Sequence, residues 1–157
     1  MSEPENPEKK TRNTQQRGAI FQAIRDSAGP LSVPELHEAA LELVSNIGIA
    51  TVYRNIKKLL EDGEIQTVIL ADGVARYERA GMKHHHHFRC RGCSRVFDLD
   101  VCPISIPDGS TLPGGFRVDD HEVTLYGLCP DCNSESDGDS DSVDITHVHG
   151  PDCDHDH

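Results

Sequence analysis

Residues 84–93 have the sequence HHHHFRCRGC, and residues 129–132 have the sequence CPDC. Each Cys-x-x-Cys turn can place two thiolates along one edge of a tetrahedron, so two turns together close the ligand shell of a zinc ion. We therefore predict a structural zinc site formed by Cys90, Cys93, Cys129 and Cys132, which the surrounding chain needs in order to fold. The alternatives are two unrelated cysteine pairs or redox motifs, but a redox Cys-x-x-Cys belongs to a βαβ unit, and none is predicted here.

The composition agrees with a metal-stabilised protein. The chain has 157 residues with 6 Cys, 10 His and no Trp, and only 4% of the residues are aromatic. A single large core is not expected, and small domains often need a metal or a disulfide. No apolar run approaches a membrane span of about 20 residues, and the polar N-terminus does not resemble a signal peptide. We predict a cytoplasmic protein without membrane association, whose thiols stay reduced and can bind metal.

The net charge of −12 does not exclude DNA as a partner, because much of it lies in the C-terminal tail. Residues 133–157 contain 8 acidic and no basic residues, whereas residues 1–80 contain 12 acidic and 10 basic residues. The basic residues cluster within residues 9–17 and 54–58. A locally basic face can bind phosphate even on an acidic protein.

Apolar residues recur at helical spacing in three segments of the first half. The first helix is predicted over residues 14–27, the second begins at a Ser-x-x-Glu capping box at residues 32–35, and the third covers residues 50–62. Residues 1–12 are predicted to be disordered. The side chains expected to face inward are Ala19, Ile20, Ala23, Ile24, Leu36, Ala39, Ala40, Leu43, Val52, Ile56, Leu59 and Leu60.

After Gly63 the apolar period changes to two, which predicts strands over residues 65–70 and 74–78 around an Asp72-Gly73 turn. Three helices followed by a hairpin form a winged helix, whose last helix enters the major groove of DNA. This pattern alone equally allows a small helical domain whose basic residues are only a solvated face.

The second half is predicted to be mostly β. Strands are expected over residues 84–89, 95–99 and 123–128. A Pro- and Gly-rich loop over residues 102–115 should contain at most a short helix. From residue 133 the composition predicts disorder.

The four consecutive histidines predict metal ligands on both faces of one strand. Because side chains alternate, His85 and His87 share one face, and His84 and His86 share the other. One strand can therefore serve two metal sites. Neutral imidazole binds Zn, Fe, Mn, Ni and Cu, so the ligand type does not identify the metal. The alternative is an exposed polar strand with a fortuitous histidine cluster.

Two motifs resemble those of the ferric uptake regulator (Fur) family, which includes zinc- and peroxide-responsive members. Residues 48–56, GIATVYRNI, resemble its recognition-helix signature, and residues 84–93 with residues 121–129, HEVTLYGLC, match its metal-binding core. The resemblance covers roughly residues 12–132. It implies an α+β fold: an N-terminal winged-helix DNA-binding domain over residues 13–80 and a small α/β dimerisation domain with the four-cysteine zinc site over residues 81–132.

The resemblance further implies a homodimeric repressor that binds AT-rich operators when metallated and controls zinc or iron uptake. It implies neither an enzyme nor a small-molecule substrate. Tyr53 and Arg54 would contact bases or backbone, with Thr51 on the same helix. Arg17, Lys57 and Lys58 would contact phosphates.

Two regulatory sites are also implied by the resemblance. A sensing site of Glu78, His85, His87 and Asp98 would bind Zn²⁺ or Fe²⁺, with Mn²⁺ as a further candidate, and would fix the angle between the two domains. A further site would use His84, His86 and His121 with a carboxylate.

The chain departs from the family pattern at several positions. Ser105 stands where many members place the carboxylate of the further site, so this site is expected either to be incomplete or to recruit Asp100. Pro30 stands where many members carry a histidine, and His37 is not expected to replace it. Cys102 is expected to be a bystander.

Two other functions remain open. The His-rich strand and the His-rich tail over residues 133–157 would suit a metal chaperone or storage protein. The Glu, Asp and His ligands also permit a peroxide sensor, in which bound Fe²⁺ oxidises a ligand histidine. A hydrolytic zinc enzyme is disfavoured because the four-cysteine site is closed and no general base accompanies an open metal.

Overall fold

The structure is a computed structural model and describes residues 7–134. Its first half contains helices α1 (Pro7–Asp26), α2 (Val33–Leu43) and α3 (Ile49–Glu61). Helix α1 begins earlier than predicted, so the prediction of disorder is wrong for residues 7–12. The predicted disordered tail lies, from residue 135 onward, outside the described residues. Within the described part of the chain, no helix is both long and apolar enough to cross a membrane.

The three helices pack around one apolar core, in which Ile20, Leu36, Val52 and Leu59 are fully buried. Of the side chains predicted to face inward, two are exposed. Leu43 is 51% and Leu60 37% exposed, because both lie at the ends of their helices, where no neighbouring element covers them. The other apolar stripes place their residues in or against the core as predicted.

The start of helix α2 is determined by local sequence, as the capping box predicted. The Glu35 carboxylate accepts a hydrogen bond from the Ser32 backbone N–H at 2.8 Å. Pro34 occupies the first turn, where its missing N–H leaves no helical hydrogen bond unmade. Together these residues end the preceding strand and begin the helix within one or two residues.

A three-stranded antiparallel sheet lies against the three helices. It consists of β1 (Leu31–Ser32), β2 (Ile65–Ile69) and β3 (Ala75–Arg79), in the order β1-β3-β2. The β2–β3 hairpin is the predicted wing, and its turn contains Gly73 at φ 72°. A positive φ favours glycine, which has no Cβ to clash with the backbone. Strand β1 was not predicted, because two residues are too few to show a periodicity.

A second sheet forms the other half of the described chain. Strand β4 (His86–Cys90) pairs antiparallel with β5 (Val96–Leu99). The loop after β5 contains a small hairpin of β6 (Thr111–Leu112) and β7 (Phe116–Arg117) and no helix.

The chain then returns as β8 (Thr124–Gly127), which pairs parallel with β4 and gives the sheet order β5-β4-β8. A single-turn helix α4 (Pro130–Asn133) follows. The predicted α+β fold class is confirmed.

The two halves differ sharply in apolar burial. Among the described residues after Ile65, the buried apolar side chains are those of Cys90, Val96 and Cys129. Several large apolar side chains of this half remain between 41% and 70% exposed, namely Val101, Leu112, Phe116, Leu125 and Leu128. The second half therefore has too little apolar core to hold itself together.

Contacts between the two halves include the following two. In the first, the backbone N–H of Asp98 on β5 donates to the Ala28 carbonyl oxygen at 2.8 Å. The next residue, Gly29, packs so closely that a Cβ there would lie 2.4 Å from the Val96 carbonyl oxygen. In the second contact, Arg89 of β4 forms an ion pair with Asp72 of the wing turn at 3.2 Å.

Asp72 is the centre of a small charged network. Both of its carboxylate oxygens accept hydrogen bonds from the buried Arg76 guanidinium, at 3.0 and 2.8 Å. The hydrogen bond from Arg76, with the smaller effects of Val74 and Arg89, lowers the pKa of Asp72 to about 2.

We expect Asp72→Asn to destabilise the wing. The amide cannot accept from two guanidinium groups as a carboxylate does, and hydrogen bonds to charged groups contribute about 1–3 kcal/mol. Because the folded-state pKa is depressed, this contribution is present above the unfolded pKa of about 4 and disappears as the pH falls toward 2. Urea unfolding of both proteins at several pH values measures it.

The matched control is Asp119→Asn. It removes a carboxylate that forms an ion pair with Arg117 and belongs to a side chain that is 80% exposed. This variant should unfold like the parent protein. An Asp72→Asn effect that is equal at pH 7 and pH 2 would contradict the assigned role of the Asp72 carboxylate.

Candidate metal sites and nucleic-acid interface

The four predicted zinc ligands come together in one cluster, the four-cysteine cluster. Cys90 ends β4, Cys93 lies in the turn to β5, and Cys129 and Cys132 lie at the start of and within α4. The Sγ atoms all lie within 4.8 Å of one another, and Cys93 and Cys129 are 3.9 Å apart. A tetrahedron with Zn–S bonds of about 2.3 Å has edges of about 3.8 Å, so the spacing fits zinc.

The backbone around the sulfurs favours thiolates. The backbone N–H groups of Cys93 and Cys129 donate to Cys90 Sγ at 3.4 and 3.3 Å. These donors, that of Cys129 foremost, lower the pKa of Cys90 to about 6. Hydrogen bonds of the Cys132 thiol to Cys129 and Cys90, together with burial and the negative charge on Cys129, raise the pKa of Cys132 to about 12. A divalent cation would neutralise that charge, and all four positions of its shell would be filled by protein.

Gly92 is part of this arrangement for a steric reason. A Cβ at Gly92 would lie 2.9 Å from both Cβ and Sγ of Cys132. The turn between Cys90 and Cys93 therefore allows α4 to approach only because residue 92 has no side chain.

A second group of metal-binding side chains lies where the wing meets the second sheet, and we call it the wing cluster. It contains Glu78 from β3, His85 just before β4, His87 in β4 and Asp98 in β5, with one ligand atom of each within 4.8 Å of the others. Glu78 Oε2 lies 3.1 Å from His87 Nε2 and 3.3 Å from His85 Nε2. The structure thus brings together all four residues of the predicted sensing site.

Hydrogen bonds outside the cluster orient its ligands. Gln66 donates to Glu78 Oε1 at 2.6 Å, and His85 Nδ1 lies 2.8 Å from the Lys83 carbonyl oxygen. When His85 Nδ1–H donates to that carbonyl, the lone pair of Nε2 is left for a metal. Asp98 Oδ1 is buried and has no hydrogen-bond partner within the described residues, although both imidazole Nε2 atoms lie within 3.9 Å. A buried carboxylate oxygen that has no hydrogen-bond donor and faces two imidazoles is suited to bind a metal ion.

The charges of the wing cluster are also adjusted by its surroundings. Burial acts to raise the pKa of Glu78, but hydrogen bonds from His87, Gln66 and His85 outweigh it and lower the pKa. Burial raises the pKa of Asp98. Burial acts to lower the pKa of His85, yet its contacts with Lys83 and Glu78 raise it above the usual value. Two carboxylates and two imidazoles could hold one divalent cation at neutral net charge.

The opposite face of the histidine strand carries a third group, the imidazole–thiol cluster. Its members are His84, His86, Cys102 and His121, again with one ligand atom of each within 4.8 Å of the others. The three histidines predicted for a further site therefore do come together. Cys102 does not belong to the four-cysteine cluster, as predicted, but its Sγ lies 3.2 Å from His121 Nε2.

The remaining family-based alternatives can be placed as well. Among the described residues, neither Asp100 nor Ser105 belongs to a metal-binding group. His37 Nε2 instead lies 2.8 Å from the Ile47 carbonyl oxygen, a contact that ties α2 to the start of α3. Pro30, which stands where many relatives carry a histidine, is fully buried. The sequence signal for the imidazole–thiol cluster was Cys102, which lies only three residues before Ser105, the position at which the family pattern places a carboxylate.

The outer face of helix α3 forms the candidate nucleic-acid interface. Tyr53 is 57% exposed, and the side chains of Arg54, Lys57 and Lys58 are exposed as well. Arg54 Nη2 donates to Thr51 Oγ1 at 2.9 Å, which holds the guanidinium beside the first turn of the helix.

Arg17 differs from the other predicted DNA-binding residues. It forms ion pairs with Asp62 at 2.8 Å and Glu64 at 2.6 Å, and so links α1 to the end of α3 and the start of β2. The hydrogen bond to Asp62 is the largest cause of its raised pKa. A phosphate could reach this guanidinium only in competition with two carboxylates.

A winged helix that shares a metal-ligand cluster with a following sheet has the architecture of a metal-responsive transcription regulator. Residues 8–126 match the sequence model of the ferric uptake regulator family, so the chain belongs to this family. Members of the family are transcription regulators.

Individual relatives differ in the signal named for them. The ferric uptake regulation protein of Campylobacter jejuni is 36% identical over 104 residues, 64% of this chain and 64% of that protein. The chain therefore spans less than two thirds of the length of this relative. The peroxide operon regulator of Bacillus subtilis is 25% identical over 125 residues, 79% of this chain and 86% of that protein. These names do not select one metal.

The fold is shared with solved structures of the family. A zinc-bound manganese uptake regulator superposes with a TM-score of 0.59 at 27% sequence identity. The superposition covers 76% of this chain and 94% of that structure.

We expect Cys129→Ser to lose tightly bound zinc and to unfold the second half. Three thiolates no longer close the shell, and structural zinc contributes on the order of 10 kcal/mol of folding free energy. Serine is a favourable N-cap residue at this position, so the loss would report on the metal rather than on the helix end. Metal analysis after dialysis against a weak chelator measures the zinc. Far-UV circular dichroism should retain most of its helical signal, because the helical core lies elsewhere.

Cys153→Ser is the matched control, since it makes the same change at a cysteine that is not one of the four ligands and should keep the tightly bound zinc. Retention of that zinc by Cys129→Ser would contradict the assignment.

Proposed function

We propose that this protein is a homodimeric, metal-dependent repressor that binds operator DNA in the cytoplasm and controls metal homeostasis through zinc or iron uptake. The observation that carries the proposal is the composition of the wing cluster. Glu78 belongs to the wing strand β3, whereas His87 and Asp98 belong to the second sheet. A metal held by this cluster therefore links the DNA-binding half to the dimerising half.

The chain's own residues account for the coupling. Two carboxylates face one another across the junction, since Glu78 and Asp98 both lie within 3.9 Å of the same imidazoles. A bound divalent cation would supply the positive charge that holds both carboxylates together. Asp98 in turn is fixed to the α1–β1 loop through the Ala28 carbonyl. Metal occupancy would therefore stabilise one pose of the helices relative to the second sheet, to the extent that the metal prefers that pose.

The dimer proposal is supported by the exposed apolar residues of the second half. Strand β8 lies at the edge of its sheet, and Leu125 and Leu128 are 41% and 46% exposed there. An exposed sheet edge with apolar neighbours is a template for pairing with another copy. A symmetric pair would present two α3 helices, and dimeric readers place such helices one DNA turn, about 34 Å, apart.

The DNA interface would be formed mainly by α3. We infer that Tyr53 and Arg54 contact bases or backbone beside Thr51, and that Lys57 and Lys58 contact phosphates. Their exposure supports this, although Lys57 Nζ lies 3.9 Å from Glu61, a weak pair that a phosphate can displace. For Arg17 we infer a smaller part, because its guanidinium already binds Asp62 and Glu64.

The donor atoms of each cluster indicate which metal ion it would bind. The four-cysteine cluster suits a structural Zn²⁺, which prefers a tetrahedral thiolate shell. The wing cluster offers two imidazoles and two carboxylates, which suit regulatory Zn²⁺ or Fe²⁺, with Mn²⁺ as a further candidate.

We expect Arg54→Ala to weaken binding to AT-rich operator-like DNA by 10-fold or more, since one good base contact contributes about 1–3 kcal/mol. Fluorescence anisotropy at fixed salt, with metal present, measures the affinity. Arg117→Ala is the matched control, because this exposed arginine lies on the β6–β7 hairpin, far along the chain from α3. Equal affinities for Arg54→Ala and the parent would refute the assignment of α3.

Glu78→Gln should remove most of the metal dependence of DNA binding while leaving the four-cysteine zinc in place. The expected reason is that the neutral amide replaces a carboxylate ligand that spans the two halves. Anisotropy titrations with Zn²⁺, Fe²⁺, Mn²⁺ and Ni²⁺, each added separately, test this and identify the effective ion. Asp100→Asn, which alters an exposed carboxylate outside the cluster, should behave like the parent. If the DNA affinity of the parent protein does not change when metal is added, the proposal is overturned.

A further inference from the structure

The imidazole–thiol cluster is assembled from segments far apart in sequence. His84 precedes β4 and His86 lies in it, Cys102 follows β5, and His121 precedes β8. His84 Nε2 lies 3.0 Å from His86 Nε2, and Cys102 Sγ lies 3.2 Å from His121 Nε2. The ring centroids of His84 and His86 lie 4.6 and 5.1 Å from that of His121. Four potential ligand atoms thus surround one point.

Hydrogen bonding within the protein does not account for this arrangement. His86 is 1% exposed, its Nε2 faces another imidazole, and its Nδ1 has no partner within the described residues. The Nδ1 of His121 is also buried and unpaired there. Buried polar atoms are normally satisfied, and an imidazole buried against imidazoles is what a metal ligand set requires. Cys102 Sγ has one further polar contact, the Ile104 carbonyl oxygen at 2.7 Å.

The cluster differs from the wing cluster in its donor atoms, although both use the same histidine strand. The wing cluster contributes two hard carboxylates, whereas the imidazole–thiol cluster contains no carboxylate and one sulfur. Thiolate with imidazole suits zinc, while carboxylate-rich sites suit Mn²⁺ and accept Fe²⁺ more readily. Alternating side chains therefore give one strand two faces of different metal preference.

We propose that Cys102 is a metal ligand, and that with His84, His86 and His121 it forms a tetrahedral three-imidazole, one-thiolate site that selects Zn²⁺ over Mn²⁺ and Fe²⁺. Cys102 takes the place that a carboxylate was expected to fill. Zinc binding there releases the thiol proton, leaves the imidazoles neutral and joins the loop after β5 to the start of β8. The inference extends the proposed function, because it adds a zinc-selective site to a regulator whose wing cluster accepts harder ions.

The test uses the reactivity of Cys102, whose side chain is exposed in the structure. The full-length protein, with the four-cysteine zinc in place, is treated with iodoacetamide with and without added Zn²⁺, and peptide mass spectrometry follows alkylation of Cys102. We expect added Zn²⁺ to slow the alkylation by 10-fold or more, and an equal concentration of Mn²⁺ to have little effect.

Two variants separate this site from its neighbour. His121→Asn removes a half-buried ligand and should abolish the protection of Cys102 by Zn²⁺. His85→Asn is the matched control, because His85 belongs to the wing cluster and its loss should leave the protection intact. Far-UV circular dichroism and retention of the four-cysteine zinc verify that both variants fold.

Each outcome decides the question. Unchanged alkylation of the parent on addition of Zn²⁺ would overturn the proposal, and so would protection that survives His121→Asn. Equal protection by Mn²⁺ would overturn the selectivity. Because the readout is thiol reactivity, this test can fail while metal-dependent DNA binding stands, and DNA binding can fail while this test succeeds.

Discussion

Attraction between one cation and the four sulfur atoms of the four-cysteine cluster would be the interaction on which the second half of this protein depends. Apart from Val96, the buried apolar side chains of that half, among the described residues, belong to Cys90 and Cys129 themselves. Without a metal, β4 and α4 would be joined only through the pairing of β4 with β8 and weak hydrogen bonds to sulfur, among the described residues. The closed thiolate shell replaces the apolar core that so short a segment cannot build.

The regulatory chemistry rests on that stabilised sheet. Strand β4 is held by the four-cysteine cluster at its end and carries histidines on both faces at its beginning. One face meets Glu78 of the wing, and the other meets Cys102 and His121. A metal bound at either face would therefore act on a strand whose other end is fixed. Under the proposed function, a small change in ligand geometry would in this way become a change in the pose of the helical half.

Local chemistry made much of the fold predictable. Helical spacing identified α2 and α3, and the alternation after Gly63 identified the wing. The start of α1 was missed because residues 7–12 are polar and show no stripe, although a helix can extend into solvent without one. The β6–β7 hairpin was missed because strands of two residues have no measurable period. Leu43 and Leu60 follow the apolar stripes, yet both are exposed because no neighbouring element covers them. Periodicity along a helix does not report whether another element packs against it.

The sequence by itself determined the two Cys-x-x-Cys pairs, the two faces of the histidine strand and the basic face of α3, because each follows from spacing along a regular element. Only the tertiary structure decided which distant residues join them. Cys102 enters a cluster with His121, and Arg17 is held by Asp62 and Glu64. The loop after β5 and the crossing from α1 to α3 set these pairings, and no periodic signal encodes such long-range geometry.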